Sequence, residues 1–473
     1  LQIEQTIQVN INAYAIGDDK GRMRYPLFVS RQHFPQSVDL LYANDHWFCI
    51  RSFSRFMSDV TKHNGHKFFC RRCLGHFSTQ PMLDKHTPYC DHDDFSEEHI
   101  TMPDPGEMLK FSNRDWPAIQ FAPFTVYADF ESLTMPIDER VRQTTRYQRH
   151  VPCSYGLKMV SRCAAINSMD YESYTGEDCV EHFLARLLEL RDLCAGAWDQ
   201  IIEMSMTWRD WDKYRAATHC TGCKKAFVDG DVKVRDHCHL SGRFRGVMHQ
   251  ACNLKSRQVK HLHVFIHNFR GYDSHLIMRA FRLSPERTLH VVGQSMEKYL
   301  TIDWGHDISF KDSYQFLTAS LERLVKSMEP SKFTNVRDDF RLIYIVDIIE
   351  RYRKKGLLLA KGVYPYDYMN AWARFEEDHL PVRAAFDNGL RDEPCSEADY
   401  ARAKAVWAEF GCRTMKDYHD HYLKCDVLQL ADLFEEFRNQ FHFHYGLDPA
   451  QFITTPQLSW AAMLRFCQVK RPL

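Results

Sequence analysis

The sequence predicts an α/β protein, because short strand-like segments alternate with segments of helical periodicity. Residues 121–130 and 264–268 are rich in aromatic and β-branched side chains, which is typical of buried strands. From Thr414 to Phe441, apolar residues recur at the spacing of one long amphipathic helix. A shorter helix is expected from about Ser274, after a turn. Further strand candidates are residues 299–303 and 308–310.

Length and composition narrow the class of protein. The chain has 473 residues, 44% of them hydrophobic, which is enough for a large core and for two or three domains. It has no run of eighteen apolar residues and no secretory signal, so we expect no membrane span and no export. Because the first residue is Leu1 and not Met, we expect the sequence to begin inside a longer parent or at a processed end.

Charge and cysteine usage give two further expectations. Lys plus Arg total 61 and Asp plus Glu total 62, so any contact with nucleic acid must be local. Several of the 16 Cys residues fall in Cys-x2-Cys pairs with His nearby. This pattern indicates zinc sites in a reducing compartment, and we therefore expect an intracellular protein.

Four acidic residues are candidates for one shared metal site. Asp129 and Glu131 are two apart on a predicted strand, so both point to the same side of it. Asp273 lies just beyond the second strand, while Tyr422 and Asp426 are four apart on the long helix and share a face. Mg²⁺ prefers carboxylate oxygens, and two metals about 3.5–4 Å apart can activate water for phosphodiester hydrolysis.

These residues stand in motifs whose order resembles the three exonuclease motifs of family B DNA polymerases. The motifs are Asp129-Phe-Glu131-Ser132, Asn268-Phe-Arg-Gly-Tyr272-Asp273 and Tyr422-Leu-Lys-Cys-Asp426. Two more motifs are similar to those of the protein-primed branch, namely Ser320-Leu321-Glu-Arg-Leu324 and Lys361-Gly-Val-Tyr364. The resemblance covers roughly residues 121–445, and five motifs in order make coincidence a poor explanation.

The resemblance implies an RNase H-like (DnaQ-type) exonuclease domain that trims single-stranded 3′ ends with two Mg²⁺ or Mn²⁺ ions. Asp129 would bridge both metals, and Glu131 and Asp426 would hold the first. Asp273 would serve the second metal, and Tyr422 would orient the attacking water. The residues that grip the DNA would be Asn268, Tyr272, Ser132, Ser320 and Leu321, with Lys361 near the scissile phosphate.

A Cys- and His-rich insert lies between the first and second exonuclease motifs. Two ligand pairs of the spacing that suits a tetrahedral zinc are Cys220-x2-Cys223 and His249-x2-Cys252. The nearby residues Asp236-His237-Cys238-His239 and Asn253 resemble the ββα-metal nucleases related to phage recombination endonuclease VII. That resemblance implies His237 as a general base, with Asp236, His239 and Asn253 around a Mg²⁺ ion.

Two interpretations of the insert remain open: an active HNH endonuclease, or a treble-clef zinc module retained for structure or DNA contact. His249 replaces a Cys of that family's usual zinc site, and Cys238 stands where an acid often separates the two His. The insert resembles inserts found in polymerases of self-synthesising transposons and related viruses. Basic residues suit phosphate contact under either interpretation, and they are Lys224, Lys225, Lys233, Arg235, Arg243, Arg245 and Lys255.

A second candidate zinc site lies near the amino terminus. Its expected ligands are Cys70, Cys73, His86 and Cys90, spaced as in a small zinc finger. Phe77 and Leu83 would form the miniature core of this finger. We interpret it as a structural zinc site.

The carboxy-terminal segment from Thr454 resembles the segment by which protein-primed polymerases enter the palm domain. The two palm signatures that carry the carboxylates for nucleotide addition are not found in the sequence, so we expect no synthesis by this chain. The expected domains are an amino-terminal region at 1–110 with its finger at 61–92, an exonuclease domain in two parts at 111–204 and 261–445, the insert at 205–260, and the start of a palm at 446–473.

Three functions are therefore considered. The leading hypothesis is a proofreading 3′→5′ exonuclease, and the alternatives are an HNH endonuclease acting through His237 or a catalytically silent zinc-containing DNA-binding scaffold. We expect two Mg²⁺ or Mn²⁺ ions in the exonuclease site and Zn²⁺ in two structural sites. The expected partners are DNA, as single-stranded 3′ ends or primer-template, and a terminal protein primer. A nuclear location is expected for a protein of this kind.

Overall fold

A computed structural model describes most of the chain and divides it into two compact units, Leu1–Asp104 and Pro105–Leu473. The described residues are 2–17, 24–32, 34–61, 65–90, 108–109, 111, 115–141, 144–163, 166–200, 202–256, 260–284, 286–295, 297–341, 354–387, 389, 393–467 and 471–472. None of the helices formed within these ranges is long and apolar enough to cross a bilayer.

The first unit combines a small sheet with short helices. Its strands are β1 (Val9–Ile16), β2 (Arg24–Phe28), β3 (Gln36–Ala43), β4 (His46–Cys49), β5 (Phe68–Phe69) and β6 (His76–Phe77). Its helices are α1 (Gln2–Ile7), α2 (Phe53–Phe56), α3 (Ser58–Thr61) and α4 (Gln80–Cys90). The first four strands form one sheet in the order β2-β1-β3-β4, and β5 pairs with β6. A core of Tyr14, Phe53, Met57 and Phe69 lies within this unit.

The second unit is organised around a seven-stranded mixed sheet. The strands of this unit are β7 (Met108–Leu109), β8 (Phe124–Val141), β9 (Thr144–Ser161), β10 (Glu172–Thr175), β11 (Lys233–His237), β12 (Phe244–His249), β13 (Leu262–Ile266), β14 (Leu289–Ser295), β15 (Lys298–Trp304), β16 (Ile308–Asp312) and β17 (Arg471–Pro472). The large sheet has the order β10-β9-β8-β13-β16-β15-β14. Two separate pairs, β11 with β12 and β7 with β17, lie outside it.

Helices cover the large sheet and form the carboxy-terminal part of the chain. They are α5 (Cys179–Asp199), α6 (Trp208–Ala216), α7 (Gln250–Lys255), α8 (Asp273–Met278), α9 (Leu321–Ser327), α10 (Thr334–Asp339), α11 (Glu397–Glu409), α12 (Met415–Tyr445) and α13 (Thr455–Phe466). Helix α12 begins with a capping box at Thr414 and Asp417, and it ends at Gly446 in the left-handed conformation, with φ 66°.

Alternation along the first half of β8 directs neighbouring side chains into different apolar cores. Phe124 and Val126 belong to the core that includes α5, whereas Tyr127 belongs to the core that includes α12. Strand β13 runs parallel to both of its neighbours, β8 and β16. Because parallel strands share an edge at their carboxyl ends, the residues that follow β13 and β16 lie on the same side as Asp129 on β8.

The insert packs against the rest of the second unit, to which it belongs. The side chain of Gln120 donates a hydrogen bond to the Ser256 carbonyl, which follows α7. Trp116 lies so close to Gly222 that a Cβ there would meet its ring at 2.8 Å. These contacts anchor both ends of the zinc-bearing segment to the residues that precede β8.

The structure confirms the α/β class and most of the predicted elements. The long helix expected at 414–441 is α12, and the strand expected at 264–268 is β13, which ends two residues earlier at Ile266. Strand β8 extends to Val141 and pairs along its length with β9, although only residues 121–130 were predicted as a strand. Residues 93–114 lie largely outside the described part of the chain, and a 3-10 helix, Trp116–Ile119, precedes β8.

Candidate active site

One cavity of about 580 Å³ collects most of the residues predicted for the exonuclease site. Its lining includes Asp129, Glu131, Ser132, Asn268, Tyr272, Asp273, Lys361 and Asp426. These side chains come from β8, from the turn and helix after β13, from the loop before α11 and from α12. Segments that are up to about 300 residues apart in sequence thus meet at one edge of the sheet.

Strand β8 and its partner β9 fix the first two acids. Asp129 pairs with Gly156 and Glu131 pairs with Ser154, and a bulge follows Glu131. The intervening Phe130 packs into the apolar core, so both carboxylates face the cavity. This confirms the geometric expectation that the two acids share one side of the strand.

A strained turn presents Asp273 to the same cavity. Asn268 has φ 63°, a conformation that residues other than glycine rarely adopt. The side chain of Asp312, at the end of β16, accepts hydrogen bonds from the backbone N–H of Arg270 at 3.4 Å and of Tyr314 at 2.9 Å. Asp312 therefore holds the turn against the neighbouring strand, and Asp273 begins α8 buried at the cavity wall.

Helix α12 brings in the fourth acid together with a wall of tyrosines. Tyr422 lies one turn before Asp426 and is buried. Its ring stacks on Tyr364 at 4.8 Å, and its hydroxyl is 2.8 Å from the hydroxyl of Tyr366. Gly362 lies against the same ring, because a Cβ at that position would be 2.5 Å from it. The segment after Lys361 therefore packs directly on the helix that carries Asp426.

The charges of the cavity are mutually unfavourable. Burial and the neighbouring Asp426 raise the pKa of Asp129 to about 7. Burial and the charge of Asp129 also raise the pKa values of Glu131 and Asp273 well above their ordinary range. Lys361 opposes this repulsion, with its ammonium 3.9 Å from Asp426, and Asp426 in turn raises the pKa of Lys361. One lysine does not balance four carboxylates, so the cavity favours the binding of cations.

The donor set suits hard divalent cations. Asp273 Oδ1 and Asp426 Oδ1 are buried and have no hydrogen-bond partner within the described part of the chain. A buried carboxylate oxygen without a partner is unfavourable unless a ligand satisfies it. Oxygen donors of this kind are those that Mg²⁺ and Mn²⁺ prefer. The four acids do not, however, bring three ligand atoms within 4.8 Å of one another, as the Cys/His groups of the described residues do.

The residues predicted to grip a DNA strand fall into two groups. Ser132, Asn268 and Tyr272 line the cavity, and the Tyr272 hydroxyl is 2.7 Å from His150 Nδ1. Ser320 instead caps α9, because its side chain accepts a hydrogen bond from the backbone N–H of Arg323. Leu321 is buried in the core that includes α12. Ser320 and Leu321 are therefore placed to position α9, whose Glu322 lines the cavity.

Several cavity residues were not anticipated from the sequence. They are Gln148, His150, Glu322, Tyr366, Asp367, Asp387 and Asp399. His150 and Gln148 come from β9, which reaches the site only through its pairing with β8. Tyr366 lies five residues after Lys361, so an aromatic residue close to a motif was the only signal for it.

The insert brings together the four residues predicted to bind zinc. Cys220, Cys223, His249 and Cys252 offer ligand atoms that all lie within 4.8 Å of one another. His249 Nδ1 is 3.4 Å from Cys223 Sγ, and His249 Nε2 is 3.2 Å from Asp231 Oδ2. Asp231 thus accepts a hydrogen bond from the nitrogen that faces away from the ligand group, which fixes the ring and its tautomer.

The residues of the insert that were predicted to surround a Mg²⁺ ion are not arranged like the zinc ligands. Asp236 is buried and forms two hydrogen bonds with the guanidinium of Arg245, at 2.7 and 2.8 Å. The rings of His237 and His239 lie 4.9 Å apart, and burial lowers the pKa of His237. Asn253 lies on α7, where its carbonyl accepts a hydrogen bond from the Ser256 N–H. The carboxylate of Asp236 is therefore engaged by an arginine in this structure.

The amino-terminal finger also brings its predicted ligands together. Cys70, Cys73, His86 and Cys90 form the second group of ligand atoms that lie within 4.8 Å of one another. Cys70 and Cys73 follow β5, while His86 and Cys90 lie on α4. The side chains of Phe77 and His86 are in contact, with ring centroids 4.9 Å apart. Two Cys/His clusters of the chain can thus hold zinc.

No curated protein and no solved structure gives a significant match to the chain. Residues 252–473 match the family model described as DNA polymerase type B, organellar and viral. The matched region begins at Cys252 and contains Asp273, Lys361 and Asp426, while Asp129 and Glu131 precede it. This match, over just under half of the chain, supports a relation to family B DNA polymerases, enzymes that act on DNA with divalent metal ions.

Proposed function

We propose that the chain is a metal-dependent 3′→5′ exonuclease, the proofreading portion of a protein-primed family B DNA polymerase. One observation carries the proposal: Asp129, Glu131, Asp273 and Asp426 line one cavity, where two of their oxygens are buried without a hydrogen-bond partner in the described part of the chain. The mixed sheet, with acids at the carboxyl edge of its parallel strands, supports the RNase H-like fold that the resemblance implies.

The four acids would hold two Mg²⁺ or Mn²⁺ ions. Bound there, such ions supply an activated water and stabilise the leaving oxygen during phosphodiester hydrolysis. Lys361 places a positive charge beside Asp426, where it can also attract the scissile phosphate. The hydroxyl pair of Tyr422 and Tyr366 lies beside the acids and can orient a water molecule.

The remaining polar residues of the cavity are suited to hold a DNA end. Asn268 and Tyr272 flank Asp273 in the turn after β13, and Ser132 follows the acids on β8. Ser132 is buried beside Tyr272 in the wall of the cavity, where its hydroxyl can contact a ligand. Together these groups would position a single-stranded 3′ end so that its last phosphodiester bond meets the acids.

The test uses single-stranded DNA with a labelled 3′ end and the purified chain with Mg²⁺. We expect release of mononucleotides that Asp129→Ala abolishes, because this residue faces the cavity together with Glu131. Asp192→Ala serves as a matched control, since this exposed carboxylate on α5 pairs with the adjacent Arg191 and does not line the cavity. Release of mononucleotides by the Asp129→Ala variant at the rate of the unmodified chain would contradict the proposal.

For the insert we propose a structural zinc module rather than an HNH endonuclease. The observation that favours this choice is the two-bond pairing of Asp236 with Arg245, which competes with coordination of a metal by Asp236. A circular DNA has no end to trim, so nicking that survives Asp129→Ala and disappears in His237→Ala would establish the endonuclease instead. A terminal protein primer, a transposon-type origin and a nuclear location are implied by the resemblance alone.

A further inference from the structure

Helix α6, directly before the first zinc ligands, is unusual in exposing its aromatic residues. None of its nine residues is buried, although they include Trp208, Trp211 and Tyr214. Trp208 is 69% exposed and Trp211 is 39% exposed. Large aromatic side chains are normally a principal source of core packing, so their exposure on one helix indicates a binding surface.

The helix is held in place by local hydrogen bonds rather than by a core. Thr207 and Asp210 form a capping box at its start. At its other end, the Tyr214 hydroxyl donates a hydrogen bond to the Lys233 carbonyl on β11 at 3.4 Å. Helix α6 is thus fixed against the β11–β12 hairpin of the zinc module by Tyr214, while Trp208 and Trp211 are exposed.

Cations lie directly beside these aromatic rings. The guanidinium carbon of Arg235, on β11, is 5.2 Å from the centroid of the Trp211 ring, and that of Arg209 is 5.1 Å from the Trp208 ring. Trp208, Trp211 and Tyr214 are spaced by three residues, so they follow one side of the helix. We call the surface formed by Trp208, Trp211, Tyr214, Arg209 and Arg235 the aromatic face.

The charge around the aromatic face is predominantly positive. Exposed cations on α6 and on the adjoining hairpin are Arg209, Lys213, Arg215, Lys233, Arg235 and Arg243. The carboxylates of α6 are already engaged, because Asp210 belongs to the capping box and Asp212 pairs with Arg215 at 2.6 Å. The net positive charge near the rings favours a polyanion over a neutral or acidic protein surface.

We propose that the aromatic face binds single-stranded DNA. Exposed indole rings stack on unpaired bases, and the adjacent arginines contact the phosphates between them. A duplex offers its phosphates but not the faces of its bases, so the aromatic face should distinguish a single strand from a duplex. This site is separate from the catalytic cavity, and its existence does not depend on the exonuclease activity proposed above.

Binding is measured by fluorescence anisotropy with the full chain, using a 5′-labelled oligothymidylate and a blunt duplex of the same length. The chain carries Asp129→Asn so that no substrate is consumed. We expect the double variant Trp208→Ala/Trp211→Ala to weaken single-strand binding by about 10- to 100-fold and to change duplex binding by less than about twofold. The matched control is Trp47→Ala/Phe48→Ala, which removes two exposed aromatic residues of the first unit and should change neither affinity.

Two further variants separate stacking from charge and from folding. Trp208→Phe/Trp211→Phe keeps aromatic faces and should restore most of the single-strand affinity. Arg235→Ala should lower the slope of log affinity against log salt by about one, as expected for the loss of one phosphate contact. Unchanged single-strand affinity in the double alanine variant would overturn the proposal and point to a protein partner for this face. An equal loss for single strand and duplex would also overturn it.

Discussion

At the scale of single residues, Gly271 determines whether Asn268 can reach the cavity. A Cβ at position 271 would lie 2.8 Å from Asn268 Oδ1 and 3.1 Å from its Nδ2, so the amide would have to move. The backbone of Asn268 is already in the left-handed region and has little freedom to compensate. We predict that Gly271→Ala raises the KM for single-stranded DNA by about tenfold, because one displaced hydrogen bond to substrate is worth about 1.4 kcal/mol.

The control for this prediction is Gly196→Ala. Gly196 lies inside α5, and a Cβ there would meet no atom within 4 Å. This variant should stabilise the chain by about 0.5–1 kcal/mol, as expected for Gly to Ala in a helix, and leave the KM unchanged. Steady-state kinetics on both variants make the comparison, and equal KM values would contradict a role for the Asn268 side chain.

Asp129 should make the stability of the magnesium-free chain depend on pH. Burial and Asp426 raise its pKa to about 7, whereas the same group in the unfolded chain titrates near 3.8. Between these values the folded chain binds more protons than the unfolded chain, so stability falls as pH rises from about 4 to about 7. Above pH 7 the buried Asp129 carboxyl is ionised, and the full free-energy cost of its charge lowers the stability of the folded chain.

We therefore predict that Asp129→Asn stabilises the magnesium-free chain at pH 8 by on the order of 1–2 kcal/mol, after allowance for water in the cavity. The gain should be smaller at pH 5.5, where the native carboxyl is already mostly protonated. Added Mg²⁺ should raise the melting temperature of the unmodified chain more than that of the variant. Thermal unfolding at the two pH values provides the measurement, and a gain that does not depend on pH would contradict the prediction.

At the scale of elements, the sequence pattern correctly predicted those helices and strands whose structure depends on local interactions. Helix α12 was predicted within four residues at its carboxyl end, because its capping residue and its periodic apolar side are both local signals. The second half of β8 was not predicted, since Pro136 and the polar residues after it do not suggest a strand. Its conformation depends on pairing with β9, which is a long-range interaction.

The same distinction applies to the candidate site. Asp129, Asp273 and Asp426 were proposed from motifs, and all three line one cavity. His150 could not be proposed, because it belongs to no motif and reaches the cavity only through the register of β9 against β8. Leu321 is the reverse case: it was proposed from a motif as a DNA-binding residue, but its side chain is buried in the core, which a motif match does not reveal.

Arg438 is the residue that fastens α12 to the strand carrying Asp129. It is fully buried, and its guanidinium forms two hydrogen bonds with Asp448, at 2.8 and 2.9 Å, and one with Glu435 at 2.6 Å. A further bond, at 2.9 Å, reaches the carbonyl of Ala122 just before β8. Although burial opposes the shift, Arg438 and Arg162 lower the pKa of Glu435 to about 2, so this acid remains charged inside the protein.

Removal of Arg438 would leave those carboxylates buried with fewer partners. We predict that Arg438→Ala lowers the free energy of unfolding by about 3–5 kcal/mol. Arg215→Ala is the control, because the exposed Arg215 pairs with exposed Asp212 and should contribute less than about 1 kcal/mol. Urea denaturation measures both, and a loss below 1 kcal/mol in Arg438→Ala would show that the network does not hold α12 in place.

At the scale of the whole molecule, each of the two units has its own core and its own Cys/His cluster that can hold zinc. The core around Tyr14 and Phe53 belongs to the first unit, together with the Cys70 cluster. The second unit contains the cores on either side of β8, the cavity proposed as the active site and the Cys220 cluster. Its short pair of β7 with β17 joins residues near both of its ends. Every residue assigned to catalysis is thus supported by packing within one unit.

We predict that residues 105–473, expressed alone, fold and retain magnesium-dependent nucleotide release with kcat and KM within about twofold of the full chain. Each compact unit with its own core is expected to fold independently. Zinc content should fall from two ions per chain to one, because of the two Cys/His clusters among the described residues the shortened chain keeps the Cys220 cluster. Elemental analysis of the shortened chain gives this number, and Cys220→Ser within it should lower the zinc content further. Loss of nucleotide release with intact zinc binding would instead show that the first unit contributes directly to the nuclease.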